Sequence, residues 1–211
     1  MYKRLIPVMV CALGVCVVIQ SANTPLVHIP SVPALYEKCG LHGQLSFEAF
    51  QQAVTGYSRY GTEKPVIAIC DFTKPSTAIR FFVIDIAEGK LLLKSLVAHG
   101  KNSGELMATS FSNEPKSLKS SLGFFRIGEI IHSPKHGQAL LLEGLQPGIN
   151  DKAREREIII HGADYVSETF IAEHGRLGRS FGCPALPREV MSQAANILCN
   201  GALLYVHADA R

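Results

Sequence analysis

The stretch PVIAICDFTKPSTAIRFFVIDIAEGKLLLKSLVA, residues 65–98, decides the fold class of this chain. Short runs of β-branched and aromatic residues alternate in it with turn-forming residues, and Glu88-Gly89 separates the last two runs. These runs are residues 66–70, 79–86 and 91–98. Because runs of this length and composition are typical of strands, the stretch predicts a sheet that is built from hairpins.

The strand pattern continues to the end of the chain. Further strands are predicted at residues 123–127, 139–142, 158–161 and 202–207. A single late helix should begin at Pro187 and stop before Gly201. A parallel sheet needs regular helices between its strands, and these are missing, so the pattern predicts an antiparallel β-sandwich or open barrel. The fold class is mainly β with a few helices.

The segment before residue 65 differs in composition and predicts helices instead of strands. Residues 23–34 contain three prolines and predict a linker. Residues 35–60 predict a short helical preface, in which Ser46 caps a helix and Gly61 lies just beyond its end. We therefore divide the chain into an N-terminal segment of residues 1–22, a linker and helical preface of residues 23–62, and a principal domain of residues 63–211.

The N-terminal segment reads as a secretory signal. Lys3 and Arg4 are followed by a run without charged side chains up to Ile19, and Ser21 and Ala22 offer a cleavage point. About 15 apolar residues span only about 22 Å as a helix, which is short for a hydrocarbon core of about 30 Å. An uncleaved N-terminal anchor is the alternative, and only in that case is membrane contact expected. Both readings predict export to the periplasm or cell envelope.

Composition limits the remaining possibilities. The chain has 211 residues, of which 47% are hydrophobic, and this is enough for one sizeable core. Its 21 basic and 18 acidic residues are spread along the sequence, so no nucleic-acid partner is predicted. Beyond the N-terminal segment there are four cysteines, at positions 39, 70, 183 and 199, without CxxC spacing. Cys39 and Cys70 could form one bridge.

Cys183 has the most unusual surroundings of the four. It lies in the segment GRSFGCPA, residues 178–185, directly after Gly182 and directly before Pro184. The glycine lets the backbone approach a substrate, and the proline keeps the cysteine extended and outside any helix. The N–H groups of Cys183 and of Gly182 or a neighbour could stabilise an oxyanion. The segment therefore predicts a nucleophilic thiol.

Two histidines are candidates for the base that such a thiol needs. His161 ends the apolar strand at residues 158–160 and is followed by Gly162, whereas His174 lies nine positions before Cys183, on a predicted loop. A strand that delivers a histidine to its rim is typical of catalytic placement. Spacing alone leaves both open, and a zinc site formed by His161, His174 and Cys183 is a third use of the same side chains.

These motifs resemble a known family. Two short segments are similar to the signature of L,D-transpeptidases with YkuD-type domains, namely His161-Gly162-Ala163 and Ser180-Phe181-Gly182-Cys183. The segment 178–185 resembles the branch known as murein L,D-transpeptidase catalytic domain proteins, and so do HGKNSG at 99–104, FSN at 111–113 and SSLGF at 120–124. The likeness covers about residues 35–207.

The resemblance implies a β-rich catalytic domain at residues 63–211, with Cys183 as nucleophile, His161 as base and Gly182 beside them. It implies a peptidoglycan stem peptide as acyl donor, and neither a metal nor an organic cofactor. Many relatives carry an arginine or asparagine two positions after the cysteine, where this chain has Ala185. The role of that arginine has either moved to Arg179 or is absent. A role in binding the substrate is expected of the residues Arg179, Ser180, Gly162, His174 and Ser121.

The resemblance implies transpeptidation if an amine accepts the acyl group. If water accepts it, the same site makes an L,D-carboxypeptidase or endopeptidase. A catalytically silent module that binds the cell wall is the alternative from another class. Retention of both Cys183 and His161 speaks against that alternative.

Overall fold

The structure is a computed structural model that describes residues 31–209. The predicted secretory signal lies outside the described residues. In chain order the helices are α1 (Val32–Lys38), α2 (Phe47–Tyr60), α3 (Glu168–His174) and α4 (Arg188–Leu198). The strands are β1 (Val66–Asp71), β2 (Phe81–Asp85), β3 (Lys90–Ser95), β4 (Gly123–Ser133), β5 (Gly137–Gly144), β6 (Ile159–Gly162), β7 (Ala185–Leu186) and β8 (Leu203–His207).

The described strands form one sheet in the order β3-β2-β1-β8-β4-β5-β6-β7. The sheet nearly closes on itself, because Ala98, beyond β3, pairs with Ala185 of β7, and Gly100 pairs with Ser180. The prediction of a mainly β, barrel-like fold is confirmed. The prediction of a purely antiparallel sheet is wrong, since β1 runs parallel to β8 and β6 runs parallel to β7. A parallel pair needs a crossover, and the segment with α3 supplies one between β6 and β7.

The apolar runs that predicted the strands are buried on both faces of the sheet. Along β1, Ala68 and Cys70 belong to the main core with α4, whereas Ile67 and Ile69 belong to a second core under α1 and α2. Side chains alternate between faces along a strand, so a run with helices or sheet on both sides must be apolar throughout. This explains why residues 66–70 are apolar without interruption.

The helical preface is a pair of helices that pack on the sheet. Ser46 caps α2 by accepting a hydrogen bond from the N–H of Ala49 at 3.1 Å, and Gly61 ends it in a left-handed conformation with φ 53°. The single predicted segment is interrupted between α1 and α2, where Gly40 and Gly43 adopt positive φ. Both helices contribute to the second core, so they support the outer face of the sheet.

The β4–β5 hairpin and helix α3 also differ from the sequence expectation. The β4–β5 hairpin is longer than predicted and carries its tip, residues 133–137, beyond the core. Helix α3 was not predicted, because its seven residues include no buried side chain and so show no apolar period.

The suggested bridge between Cys39 and Cys70 is wrong. Both are free, buried thiols, and Cys70 lies in the main core whereas Cys39 lies in the second core, across the sheet. No helix within residues 31–209 is long and apolar enough to cross a membrane.

Candidate active site

A cavity of about 890 Å³ lies beside β6, between the β4–β5 hairpin and the loop that precedes β7. This volume is within the range of small-molecule sites in proteins. The residues predicted for the site that line this cavity are His161, Arg179, Ser180 and Cys183. The structure thus brings together the proposed nucleophile and base, which are 22 positions apart in the sequence.

Strand pairing places Cys183 and His161 at the same cavity. His161 lies opposite Ala185 in the parallel β6–β7 pair, and Cys183 comes two positions before Ala185. Ile160 points into the main core, so its neighbour His161 points to the other face of β6, where the cavity lies. The apolar strand and the short β7 therefore fix the positions of both side chains.

The turn that carries Cys183 is held by Ser180. The Ser180 hydroxyl donates to the carbonyl oxygen of Cys183 at 2.6 Å and accepts from the N–H of Gly182 at 3.1 Å. Gly182 has φ +125°, and a Cβ there would lie 2.7 Å from the carbonyl oxygen of Lys119. Only glycine fits this position, and its N–H is used inside the turn rather than directed at the cavity.

The half-buried thiol of Cys183 donates to the carbonyl oxygen of Glu157 at 3.8 Å, and no hydrogen bond joins it to His161. Burial raises the pKa of Cys183 above its ordinary value. The backbone N–H of Ile159, the Arg156 guanidinium and the N–H of Cys183 itself lower this pKa, since each stabilises the thiolate. The resting sulfur is therefore a protonated thiol, and two backbone N–H groups and one nearby positive charge favour its anion.

His161 is 1% exposed, and burial lowers its pKa to about 4. Its ring atom Nδ1 donates to the carbonyl oxygen of Gly162 at 3.1 Å, which leaves Nε2 as the proton-accepting nitrogen. At neutral pH the ring is uncharged. His161 can therefore accept a proton, and Gly162 fixes the tautomer that does so.

The hairpin tip adds residues that the sequence did not indicate. The ring of His136 stacks on that of His161 with centroids 3.7 Å apart, and Lys135 lies over the ring of Phe181 at 5.0 Å. Lys135 and His136 both line the cavity and lower the pKa of His161 through their charge. Contacts between a hairpin tip and distant strands have no local sequence signal, which is why these two residues were missed.

Three arginines reach the cavity in different ways. Arg179 donates to Glu105 Oε1 at 2.5 Å and to the carbonyl oxygen of Lys101 at 3.2 Å, so its guanidinium is already engaged. Arg156 is partly buried and binds backbone carbonyls, whereas Arg154 is exposed. The guanidinium of Arg154 has no ion pair within residues 31–209, so it is freer than that of Arg179 to meet a ligand in the cavity.

The remaining residues expected to bind substrate lie away from the cavity. Gly162 packs against α4, where a Cβ would lie 3.2 Å from the Cα of Arg188. Ser121 is buried and donates to the carbonyl oxygen of Ser112 at 2.9 Å. His174 is not on a loop but in the last turn of α3, exposed and stacked on Phe170. Of the residues predicted to bind substrate, Gly162, Ser121 and His174 therefore do not line the cavity.

The alternative zinc site finds no support in the described part of the chain. No group of three or more His, Cys, Asp or Glu side chains within residues 31–209 is arranged to hold a metal ion. Fold and site together define a mainly β domain that presents Cys183 and the neutral His161 to a common cavity, which His132 and His136 of the hairpin also line.

A family model described as "L,D-transpeptidase catalytic domain" matches residues 41–207. The chain belongs to this family, and the resemblance noted in its motifs is confirmed. No protein of curated function matches the chain.

Solved structures with a similar fold come from several bacteria. One is the helical cell shape determining protein Pgp2 (K307A mutant) of Campylobacter jejuni, which is 18% identical, with a TM-score of 0.47 over 69% of this chain and 48% of that one. An L,D-transpeptidase from Mycobacterium smegmatis is 16% identical, with a TM-score of 0.42 over 70% of this chain and 60% of that one. An L,D-transpeptidase from Stackebrandtia nassauensis is 15% identical, with a TM-score of 0.40 over 84% and 76%. The chain spans about half to three fifths of the length of the first two.

Proposed function

We propose that this protein is an L,D-transpeptidase that transfers an acyl group of a peptidoglycan stem peptide through a thioester on Cys183. Membership of the catalytic domain family supports enzymatic activity on peptidoglycan. The observation that carries the residue assignment is the meeting of Cys183 and His161 at one cavity, enforced by the β6–β7 pairing.

The first half of the reaction forms the thioester. As the sulfur attacks the amide carbonyl of the donor, its proton passes to Nε2 of His161, and an S–C bond forms. The imidazolium then protonates the leaving amine, and the C–N bond breaks. Gly182 already gives its N–H to Ser180, so we assign the oxyanion to the N–H of Cys183.

The second half of the reaction depends on the acceptor. An amine of a second stem peptide attacks the thioester carbonyl, gives up its proton to neutral His161, and releases the Cys183 thiol with a new amide cross-link. Water in the place of the amine yields a shortened peptide instead. We favour the amine because it is the transpeptidase reaction for which the family is named.

The positive charges of Arg154 and Lys135 suit the cavity to an anionic peptide as the donor. Both line the cavity, and Glu157 is the one acidic residue in the described lining. A basic cavity attracts and orients carboxylates, of which stem peptides carry several. Arg154 is accordingly our candidate for contact with a substrate carboxylate.

Product analysis tests the proposal directly. The protein without residues 1–22 is incubated with muropeptides that carry tetrapeptide stems, and the products are separated by mass. We expect cross-linked dimers from the wild type, none from Cys183→Ala, and wild-type yield from the matched control Cys199→Ala. Shortened monomers without dimers would make the protein a peptidase, and dimers from Cys183→Ala would refute the assignment of the nucleophile.

We also propose that the chain is exported, on the basis of its basic start and uncharged apolar run. In a bacterial host, the full chain should appear in the envelope fraction. The N-terminal mass of the recovered protein distinguishes cleavage near Ala22 from an uncleaved anchor, and recovery in the cytoplasm would contradict export.

A further inference from the structure

The partly buried Arg156 has a setting that the proposed reaction does not yet explain. Its guanidinium donates to the carbonyl oxygens of Ser112 at 2.8 Å and Lys119 at 2.5 Å, and to the hydroxyl of Ser121. All these acceptors are neutral. No carboxylate lies within ion-pair distance of Arg156 in the part of the chain that the structure describes. Burying a cation without an anionic partner is unfavourable, so the site is suited to an anion that forms during function.

Cys183 is the group beside Arg156 that can become such an anion. A Cβ on Gly182, the residue before Cys183, would lie 3.1 Å from Nη2 of Arg156. The thiol of Cys183 contacts the carbonyl of Glu157, the residue after Arg156, and Arg156 and Cys183 line the same cavity. The guanidinium therefore lies against the turn that carries the sulfur.

The other charged groups around the sulfur do not replace Arg156. His161 is neutral at physiological pH, because burial lowers its pKa to about 4. Arg179 is paired with Glu105, and the carboxylate of Glu157 raises the pKa of Cys183. Tyr165 also faces the sulfur, and burial keeps its pKa well above the ordinary value, so it stays neutral. Glu114, the carboxylate that affects Arg156 from further away, is paired with Lys152 at 2.9 Å.

We propose that Arg156 is a positioning residue for the proposed acyl transfer: its guanidinium lies against the Cys183 turn and stabilises the thiolate by its charge. The inference rests on the proposed function in one respect, namely that Cys183 is the nucleophile. It gives a role to the segments at 111–113 and 120–124, because Ser112 and Ser121 hold the guanidinium in place. The mutual influence of Arg156 and Cys183 on each other's pKa agrees with this geometry.

The pH dependence of thiol alkylation tests the proposal without any peptidoglycan substrate. Iodoacetamide reacts with the thiolate, and mass spectrometry of the peptide that contains Cys183 gives the rate for this cysteine alone. We expect Arg156→Gln to raise the apparent pKa of Cys183 by about one unit, which makes alkylation at neutral pH about tenfold slower, with an unchanged plateau at high pH. Arg154→Gln, which removes an exposed charge from the same cavity, should leave the profile near that of the wild type.

Arg156→Lys separates charge from hydrogen bonding. It retains the cation but loses the forked contacts to Ser112 and Lys119, so a pKa of Cys183 close to the wild-type value is expected. A profile of Arg156→Gln that overlaps the wild type, or a lowered plateau at unchanged pKa, would overturn the proposal. If Arg156→Gln does not fold, the test rests on Arg156→Lys. A raised pKa of Cys183 in the folded Arg156→Lys protein would then overturn the proposal. Failure of dimer formation with a normal alkylation profile would instead count against the proposed function alone.

Discussion

Two buried histidines of this protein have nearly the same burial and charge but different hydrogen bonding. His99 and His161 are each 1% exposed, and burial lowers the pKa of each to about 4. In His99 both ring nitrogens are occupied, because Nδ1 accepts from Arg80 at 2.7 Å and Nε2 donates to the carbonyl oxygen of Gly104 at 3.2 Å. In His161, Nδ1 is bound to the carbonyl of Gly162, and Nε2 is left for chemistry at the cavity.

The difference shows that a perturbed pKa does not by itself identify a catalytic group. Around His99, the buried Arg80 also donates twice to the carbonyl oxygen of Val97, at 3.0 and 2.8 Å. This cluster fixes the segment after β3, where Ala98 pairs with Ala185 and closes the sheet. His99 therefore has a structural role, whereas a free ring nitrogen and an adjacent cavity support the base role that we propose for His161.

The largest effect on activity is expected at His161. His161→Gln removes the proton acceptor and should slow acylation of Cys183 by about 10²- to 10⁴-fold, the usual contribution of a general base. The free energy of unfolding should change by less than about 1 kcal/mol, because no other side chain depends on Nε2 for a hydrogen bond. Stopped-flow or mass-spectrometric acylation rates measure the first quantity, and urea unfolding measures the second. An unchanged acylation rate in His161→Gln would contradict the assignment of a base role to His161 and a structural role to His99.

The largest effect on stability is expected at His99. His99→Ala leaves one donor of the buried Arg80 guanidinium without its acceptor and should cost about 3 kcal/mol of unfolding free energy. Acylation by the folded variant should decrease far less than in His161→Gln. Urea unfolding monitored by circular dichroism provides the measurement, with the exposed His132→Ala as the matched control, for which we expect a change below about 0.5 kcal/mol. Equal stabilities of the two variants would contradict the structural role of His99.

Acid should destabilise the protein through both histidines. Each binds a proton at its ordinary pKa of 6.5 when unfolded but only near 4 when folded, so the unfolded state binds more protons between these values. Stability is complete above pH 6.5 and is lost as the pH falls towards 4, by roughly 3 kcal/mol for each histidine. His161→Gln should remove about half of this loss in a series of urea melts. An identical acid profile in that variant would show that His161 is not buried as described.

The smallest effect is expected at His136, which stacks on His161 from the hairpin tip. His136→Phe keeps a ring in contact with His161 but removes a titratable group whose charge lowers the pKa of His161, so that pKa should rise slightly. His136→Ala, which removes the stack, should slow acylation more than His136→Phe, by roughly threefold to tenfold. Rates that are equal in the two variants would mean that the stack does not position the base.

The sequence predicted the parts of the molecule that depend on local signals. The apolar runs revealed β1, β2 and β8, because strands buried on both faces must be apolar along their whole length. Gly182 and Pro184 indicated the special backbone of the turn that carries Cys183, because only glycine fits at position 182.

The parts that the sequence missed depend on long-range contacts. Arg156 lies 27 positions before Cys183, and His136 lies 25 positions before His161. Neither position shows a local pattern, since a hairpin and a loop bring them to the cavity. The sequence pointed to Arg179, which is close to Cys183 along the chain, and gave no indication of Arg156. Arg179 does line the cavity, but its guanidinium turns to Glu105, so nearness along the chain did not reveal that Arg156 lies against the turn of Cys183.

The central claim is that Cys183, and no other cysteine, is the nucleophile at the cavity of His161. Peptide mapping after incubation with a carbapenem, whose strained amide acylates a nucleophilic thiol, tests it most directly. The account predicts a single adduct on the peptide that contains Cys183, formed much more slowly in His161→Gln than in His99→Ala. An adduct on the peptide with Cys199, or none on the peptide with Cys183, would contradict it.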